Sequence, residues 1–311
     1  MARMSSEASV AEAVRVRVAG KINLALRASK RRSDGYHSLA TVFQAVSVYD
    51  EIEAHWAPPG TFGVRVIGEQ AAQVPTDETN LAVRAARLLR DLVASSPVGV
   101  DLVIRKAIPV AGGMAGGSAD AAGALLACAV LWDLDVSPEE LGEFGARLGA
   151  DVPFCLTGGT ALGTGRGDRL APVLSRGTYH WVLAFSEGEL STPEVFDVFD
   201  RNGMGTSGDL EVPAGLLNAL VAGDAHALGE NLVNDLQAVS WALRPELQTL
   251  IQHGTELGAI GAIVSGSGPT VAFLAANEAQ AVDLSVDLSC SGLCRSVKRV
   301  TGPVPGARLI S

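Results

Sequence analysis

The first regular pattern in the chain is an alternation of apolar and polar residues near its start. Val14, Val16 and Val18 alternate with arginines, and this two-residue period predicts a β-strand. The run Ala19–Leu26 continues the pattern and places Lys21 and Asn23 on one face of the strand. Composition alone favours a solvated strand lysine at Lys21.

The same analysis predicts a mixture of further strands and helices. The polar segment Arg31–Leu39, with Asp34-Gly35 as its turn pair, predicts a turn between two strands. Strands are predicted at Ala40–Val48, Glu51–His55, Phe62–Val66, Val100–Lys106 and His180–Phe185, and a strand, glycine loop and strand at Ala259–Leu274. Helices are predicted at Leu81–Val93 after the cap Asp77–Asn80, at Ala121–Leu134, from the capping box at Ser137 to Leu148, and after the cap Thr192.

A glycine-rich segment, Pro109–Ala122, separates the strand Val100–Lys106 from the helix Ala121–Leu134. Glycine lets the backbone take positive φ and lets another group come close, while a helix N-terminus presents unpaired N–H donors. Together these features favour a phosphate site. The segment matches neither the Walker A motif nor the Rossmann fingerprint, so the glycines alone fit a tight turn without a ligand equally well.

Composition narrows the class of protein and of partner. The chain has 311 residues, enough for two domains, and 48% of them are hydrophobic, which predicts a packed core. The formal net charge of −10 argues against nucleic acid or an anionic membrane as the main partner. Lysine is rare, so each lysine is informative; the four are Lys21, Lys30, Lys106 and Lys298.

The cysteines and the N-terminus predict a cytosolic protein. Cys128 and Cys155 lie in apolar runs, and Cys290 and Cys294 lack the second ligand pair of a zinc site, so we expect four reduced thiols. Residues 1–12 lack the apolar region of a signal peptide, and we expect them to form a disordered extension. No run approaches the roughly 20 apolar residues of a membrane span.

Three segments resemble the motifs of the GHMP kinases, in the order of that family. Pro109–Ala119 resembles P-x-x-x-G-L-G-S-S, with Met114-Ala115 and Ser118-Ala119 where Leu-Gly and Ser-Ser are usual. Gly149–Phe154 resembles the second motif, although Asp151 by itself fits a helix cap. Val264–Thr270 resembles the third, which packs against the nucleotide loop, although by itself it fits a hairpin.

The resemblance covers about residues 14–300 and implies an α+β fold of two domains. The N-terminal domain would be similar to domain 2 of ribosomal protein S5, and the C-terminal domain would be ferredoxin-like. A change of composition near residues 170–177 suggests the boundary, so we expect domains at residues 1–170 and 171–311. The cleft between them would hold ATP and the substrate.

Two more segments resemble one branch of this family, the kinases of 4-diphosphocytidyl-2-C-methyl-D-erythritol in the non-mevalonate isoprenoid pathway. Gly20–Leu24 matches their lysine and asparagine, and Asp34–His37 matches their D-G-Y-H. The resemblance implies that Tyr36 stacks on the cytosine of the substrate and that His37 hydrogen-bonds it. Stacking combined with hydrogen bonds to the base edge is a physically sensible way to recognise a nucleobase.

The resemblance also implies the catalytic residues and the cofactors. Lys21 and Asp151 would be catalytic, and Asn23 and Asp151 would lie at the substrate hydroxyls. ATP implies magnesium, for which no protein ligand is assigned. Asn80 fits a plain helix cap equally well, but belongs to the set expected to bind ATP: Asn80, Lys106, Pro109, Val110, Ala111, Gly112, Gly113, Met114, Ala115, Gly116, Gly117, Ser118 and Ala119.

Two other functions stay open on the sequence. The chain could be another GHMP kinase acting on a small alcohol, against which Tyr36 and His37 argue because cytidine binding is particular to the one branch. It could also be a catalytically inactive ligand-binding member, against which the joint presence of Lys21 and Asp151 argues.

Overall fold

A computed structural model gives the structure of residues 13–311, and the prediction for residues 1–12 lies outside the described residues. The architecture is α+β with two sheets. The strands are β1 (Ala13–Arg31), β2 (His37–Trp56), β3 (Phe62–Gly68), β4 (Val100–Lys106), β5 (Thr160–Gly165), β6 (Arg169–Pro172), β7 (Tyr179–Phe185), β8 (Val233–Asn234), β9 (Gly261–Val264), β10 (Val271–Ala275), β11 (Ser296–Gly302) and β12 (Arg308–Ile310). The helices are α1 (Leu81–Val93), α2 (Gly116–Leu131), α3 (Pro138–Leu148), α4 (Val152–Thr157), α5 (Thr192–Arg201), α6 (Ala214–Ala222), α7 (Ala225–Glu230), α8 (Gln237–Leu243), α9 (Glu246–Glu256) and α10 (Glu278–Cys290).

The first sheet is built on the long antiparallel pair β1 and β2. Its order is β12-β1-β2-β4-β3, with β5 and β6 extending from β2 and β8 pairing in parallel with β1. The prediction of separate strands at Ala40–Val48 and Glu51–His55 is wrong, because β2 is continuous. A β-bulge explains the broken pattern: Ala19 pairs with Tyr49 but Gly20 pairs with Val46, so the alternation of β2 slips between them.

The second sheet has the order β11-β7-β10-β9, and its neighbouring strands are antiparallel. With helices between β7 and β9 and with α10 between β10 and β11, the connectivity is that of a ferredoxin-like unit. The last strand, β12, returns to pair with β1 in the first sheet. The predicted boundary between residues 170 and 171 stays a prediction.

The predicted helix Leu81–Val93 is confirmed, and so is the capping box that begins α3 at Ser137. Two other helix starts are wrong. Helix α2 begins at Gly116 and not at Ala121, because the second half of the glycine segment already has helical geometry, with Gly116, Ala119 and Asp120 buried. Helix α5 has Ser191 at its N-cap, and Thr192 is its first helical residue.

Helix α2 lies against β1 and β2, and small residues allow its close approach. A Cβ at Gly123 would lie only 2.9 Å from the Val18 side chain. A hydrogen bond of 3.0 Å from Trp181 Nε1 to Gln44 Oε1 joins the second sheet to β2. The four cysteines are free thiols, as predicted. Within residues 13–311, no helix has the length and apolar character needed to cross a membrane.

Candidate functional site

Two cavities meet at the glycine segment. The large cavity has a volume of about 840 Å³ and is lined by residues of β1, β2, α2, the 149–151 turn and α5. The small cavity, of about 270 Å³, lies between the residues before α1, the end of β4 and α2. Leu81, Ala111 and Gly117 line both cavities, so one elongated ligand can occupy both.

The glycine segment turns through left-handed backbone positions before it enters α2. Ala111 (φ 50°), Gly113 (φ 73°) and Ala115 (φ 60°) alternate with residues of ordinary φ. Positive φ costs energy at alanine and is concentrated at functional sites. The segment delivers the N-terminus of α2 to the cavity wall at Gly116 and Gly117, where N–H groups without helical partners favour an anion.

The third motif packs against this segment, as the sequence predicts. The Ser265 hydroxyl donates a 3.0 Å hydrogen bond to the Gly113 carbonyl oxygen. A Cβ at Gly113 would clash with the Ser265 carbonyl oxygen, so this contact requires glycine. The loop of the β9–β10 hairpin therefore supports the conformation of the glycine segment.

Lys21 is buried, with 4% of its surface exposed, so the prediction of a solvated lysine is wrong. Its ammonium donates to Asn23 Oδ1 at 2.7 Å and to the Gly113 carbonyl oxygen at 2.8 Å. Asn23 Nδ2 in turn donates to Thr41 Oγ1 at 2.8 Å. This network holds a cation in the wall of the large cavity, directly beside the glycine segment.

Asp151, at the start of α4, lines the same large cavity as Lys21. It occupies the N-cap position, but its side chain makes no capping hydrogen bond, which leaves the carboxylate available for chemistry. Burial lowers the pKa of Lys21, and the negative charge of Asp151 partly offsets that effect. The two predicted catalytic residues are thus electrostatically coupled within one cavity.

The predicted base-recognising residues line the same cavity. Tyr36 is 57% exposed at the turn between β1 and β2. His37 is buried at the start of β2, and its ring stacks on Phe196 of α5 with 4.5 Å between ring centroids. The Ser29 carbonyl oxygen, 2.9 Å from His37 Nδ1, can only accept, so Nδ1 carries the proton and Nε2 faces Asp200.

The small cavity contains the polar residues predicted for the adenine end. Asn80 caps α1, accepting from Ala82 N at 2.9 Å, and donates to the Pro75 carbonyl oxygen at 2.7 Å, so the capping interpretation is confirmed while the residue also lines the cavity. Lys106 lies behind it, bonded to Asp50 at 2.6 Å and to Asp120 at 2.8 Å.

The Asp50–Lys106–Asp120 cluster holds two carboxylates for one ammonium in a buried place. Asp50 also accepts from the backbone N–H groups of Ala107 and Ile108, where the glycine segment begins. Burial raises the pKa of Asp120, Lys106 lowers it and Asp50 raises it, with a net result of about 8. Asp120 Oδ1 has no hydrogen-bond partner among residues 13–311.

This cluster leads to a prediction about stability. The pKa of Asp120 is about 8 in the folded state and 3.8 in its usual, unfolded state. Between these two values the folded state holds more protons than the unfolded state, so stability falls as pH rises. Asp120→Asn keeps the shape without the titration. The free energy of unfolding, measured with urea, should fall from pH 5 to pH 9 by at least ~1 kcal/mol more in the wild type than in the variant, since one pKa unit corresponds to about 1.4 kcal/mol. Parallel losses in the two proteins would contradict the raised pKa.

Most of the residues predicted to bind ATP line one of the cavities. Pro109, Met114 and Ala119 are buried and lie outside both linings. Met114 fills the core beside Gly20, and Ala119 is fully buried, so a hydroxyl there would face the core and not a cavity. The departures from the family pattern at these two positions therefore concern packing.

Sequence reasoning missed four residues of the site. Asp50 and Asp120 belong to no motif in the sequence, and Phe196 and Arg166 belong to segments predicted only as a helix and a hairpin. The contact between Asp50 and Lys106 could be predicted only from the pairing of β2 with β4, which brings the two residues together. The scarcity of lysine was the one signal that pointed to this cluster.

Comparisons with known proteins agree with this geometry. Residues 80–159 match the GHMP kinases N terminal domain, and residues 216–292 match the GHMP kinases C terminal domain. The chain is 52% identical over 300 residues to the 4-diphosphocytidyl-2-C-methyl-D-erythritol kinase of Nocardia farcinica, with 96% of each chain covered. It is 51% identical over 299 residues to the kinase of the same name from Mycobacterium tuberculosis, covering 96% of this chain and 93% of the relative.

Solved structures give the same picture of the fold. A crystal structure of 4-(cytidine 5'-diphospho)-2C-methyl-D-erythritol kinase is 33% identical, with a TM-score of 0.74 over 92% of this chain and 98% of the other. Homoserine kinase from Cytophaga hutchinsonii has a TM-score of 0.75 over 100% of both chains at 17% identity, a similarity of fold alone.

Proposed function

The chain belongs to the GHMP kinase family, among the 4-diphosphocytidyl-2-C-methyl-D-erythritol kinases, and from this premise we propose how its residues perform the reaction. The two-domain GHMP fold expected from the sequence is confirmed. The enzyme transfers the γ-phosphoryl group of ATP to the 2-hydroxyl of 4-diphosphocytidyl-2-C-methyl-D-erythritol. Such a transfer needs mainly positioning and neutralisation of charge.

ATP occupies the small cavity with its adenine and crosses the glycine segment with its triphosphate. Asn80 and Lys106 lie at the adenine end. The backbone N–H groups of the first turn of α2 bind the phosphates, and the partial positive charge of the helix N-terminus adds to them. Gly117, which lines both cavities, is the point where the nucleotide passes from one to the other.

Magnesium accompanies ATP, and the oxygen donors beside the glycine segment fit it. Mg²⁺ in kinases takes one or two protein ligands and completes its shell with phosphate and water. The Ser118 hydroxyl lines the large cavity next to this segment and would be such a ligand, whereas the Asp151 carboxylate stays free of the ion. When bound, the ion neutralises phosphate charge.

Asp151 accepts the proton of the attacking hydroxyl. Its carboxylate makes no capping hydrogen bond, and it lies in the same cavity as Lys21. The buried ammonium of Lys21 offsets negative charge near the hydroxyl, and Asn23, held by Thr41, orients the substrate.

The cytidine end of the substrate lies at Tyr36 and His37, where Tyr36 stacks on the base and His37 with its neighbouring backbone bonds the base edge. The observation that carries the proposal is the joint presence of four residues in one cavity beside the glycine segment: Lys21, Asp151, Tyr36 and His37. A small-alcohol kinase would not need the last two.

A substrate panel tests this function. Wild-type protein with ATP and magnesium should release ADP when the cytidyl substrate is added. The value of kcat/KM should be lower for the uridyl analogue, for homoserine and for mevalonate. For the two small alcohols it should be lower by at least ~10³-fold, because they lack the groups that the site bonds. Comparable turnover of homoserine or mevalonate would favour a small-alcohol kinase. ATP binding without turnover of any of these compounds would favour an inactive member.

A further inference from the structure

The last part of the chain crosses the end of helix α4 before it reaches the first sheet. Residues 303–307, which form the strap, link β11 to β12 and run past the C-terminal end of α4. Strand β12 then pairs with β1, where Arg308 lies opposite Arg17, four residues before Lys21. The strap therefore connects the helix that begins after Asp151 to the strand that carries Lys21.

Backbone hydrogen bonds attach the strap to α4. The N–H group of Ala307 donates to the Cys155 carbonyl oxygen at 2.9 Å, and that of Gly306 donates to the Thr157 carbonyl oxygen at 3.3 Å. The last carbonyl groups of a helix have no partner within the helix itself. Helix α4 has only 6 residues, too few for a helix to be stable alone, so its conformation depends on such tertiary contacts.

The strap and α4 both contact the middle of β2. The N–H group of Val304 donates to the Ala45 carbonyl oxygen at 3.1 Å. Two residues earlier in β2, the Phe43 ring contacts Phe154 of α4, with 5.0 Å between the ring centroids. The ammonium of Lys21 lies 5.6 Å from the centroid of the same Phe43 ring. The positions of α4 and of Lys21 are therefore set against one part of β2.

Gly306 allows the strap to lie this close to α4. A Cβ at Gly306 would lie 2.5 Å from the Leu156 carbonyl oxygen and 2.6 Å from the Cys155 carbonyl oxygen. Both are backbone atoms, which cannot turn aside as the end of a flexible side chain can. A Cβ at Gly158, at the end of α4, would likewise clash with the backbone of Gly306. Glycine at residue 306 is therefore required by the close approach of the two backbones.

We propose that the strap positions Asp151 for catalysis, with Gly306 as the positioning residue, an inference that rests on the proposed function. The Asp151 side chain makes no capping hydrogen bond, so the place of its carboxylate follows the backbone of α4. A catalytic group misplaced by about 1 Å can cost roughly 10²-fold in rate. Gly306 lines neither cavity, so it acts on the reaction through α4 and not by contact with a ligand.

A double-mutant cycle with Asp151 separates this role from a merely structural one. Gly306→Ala should lower kcat roughly 10- to 100-fold, because the added Cβ displaces α4. KM for ATP and for the cytidyl substrate should change less than about threefold, since none of the residues proposed to bind ATP or the base belongs to α4 or to the strap. Made in the Asp151→Asn protein, the same substitution should change kcat less than about threefold, because no base is left to misplace.

Two further variants complete the experiment. Gly208→Ala is the matched control and should leave kcat unchanged, because Gly208 is exposed and a Cβ there meets nothing within 4 Å. Ala307→Pro replaces the N–H group that bonds Cys155 with a ring carbon and costs one hydrogen bond, so it serves if Gly306→Ala does not fold. It should lower kcat at least about threefold at unchanged KM.

The outcomes distinguish the role of the strap from the proposed function. Equal losses of kcat from Gly306→Ala with and without Asp151 would mean that the strap acts on something other than this carboxylate, and would overturn the proposal. Unchanged kcat in both strap variants, while Asp151→Asn loses activity, would overturn the proposal alone. If Asp151→Asn itself keeps kcat within threefold of wild type, the catalytic role in the proposed function fails as well.

Discussion

Asp151→Asn is expected to lower kcat by roughly 10²- to 10⁴-fold, the usual cost of losing a general base. Asparagine has the same shape but cannot accept the hydroxyl proton. Because the Asp151 side chain makes no capping hydrogen bond for α4, the substitution should leave the melting temperature within about 2 °C of wild type. KM for ATP and for the cytidyl substrate should change much less than kcat, since the lost interaction belongs to the transition state.

Steady-state kinetics and thermal melting of the same preparations check this expectation. Asp283→Asn is a matched control, because it removes a carboxylate from the exposed surface of α10, away from the cavities. It should leave kcat unchanged. A loss of less than threefold in Asp151→Asn would assign Asp151 a structural role at the start of α4 and remove it from the chemistry.

The fold could be predicted where local sequence decides the structure. Helix α1 follows from its apolar spacing and from Asn80, whose side chain caps the first turn as the sequence indicates. The start of α2 could not be predicted, because glycine at residues 116 and 117 normally disfavours a helix, yet both residues lie in the first turn of α2. The continuity of β2 could not be predicted either, because a bulge in this strand opposite Ala19 and Gly20 interrupts its alternation.

Motifs in the sequence predicted many residues of the site, but the sequence did not predict which of its side chains are buried. Lys21 belongs to a strand that alternates like an exposed one, and its burial comes from the glycine segment, 92 residues later in the chain. Phe196 and Arg166 line the large cavity only because the tertiary fold brings α5 and the β5–β6 hairpin to the same cavity. Long-range contacts of this kind leave no periodic signal in the sequence.

The glycine segment offers a sharp test of nucleotide binding, but not every glycine in it serves. A Cβ at Gly116 would lie 3.2 Å from Lys106 Nζ and 3.3 Å from the Pro109 carbonyl oxygen. A valine there would press on the buried ion cluster, so a loss of ATP binding could not be separated from a damaged fold. At Gly117 a Cβ would meet only the end of the Leu81 side chain, at 3.3 Å.

Gly117→Val should therefore weaken ATP roughly 10- to 100-fold in calorimetry while the protein melts as wild type does. The valine methyl groups occupy the place where the two cavities join, at the N–H groups that favour phosphate, and forcing a ligand past added methyl groups costs about 1–3 kcal/mol. Cytidine should bind as before, because Tyr36 and His37 line the large cavity and not the small one. Gly142→Val on α3, where a Cβ meets nothing within 4 Å, controls for the effect of valine in a helix. If Gly117→Val melts normally and binds ATP with wild-type affinity, the triphosphate does not cross the start of α2, and the path of the nucleotide through both cavities is wrong.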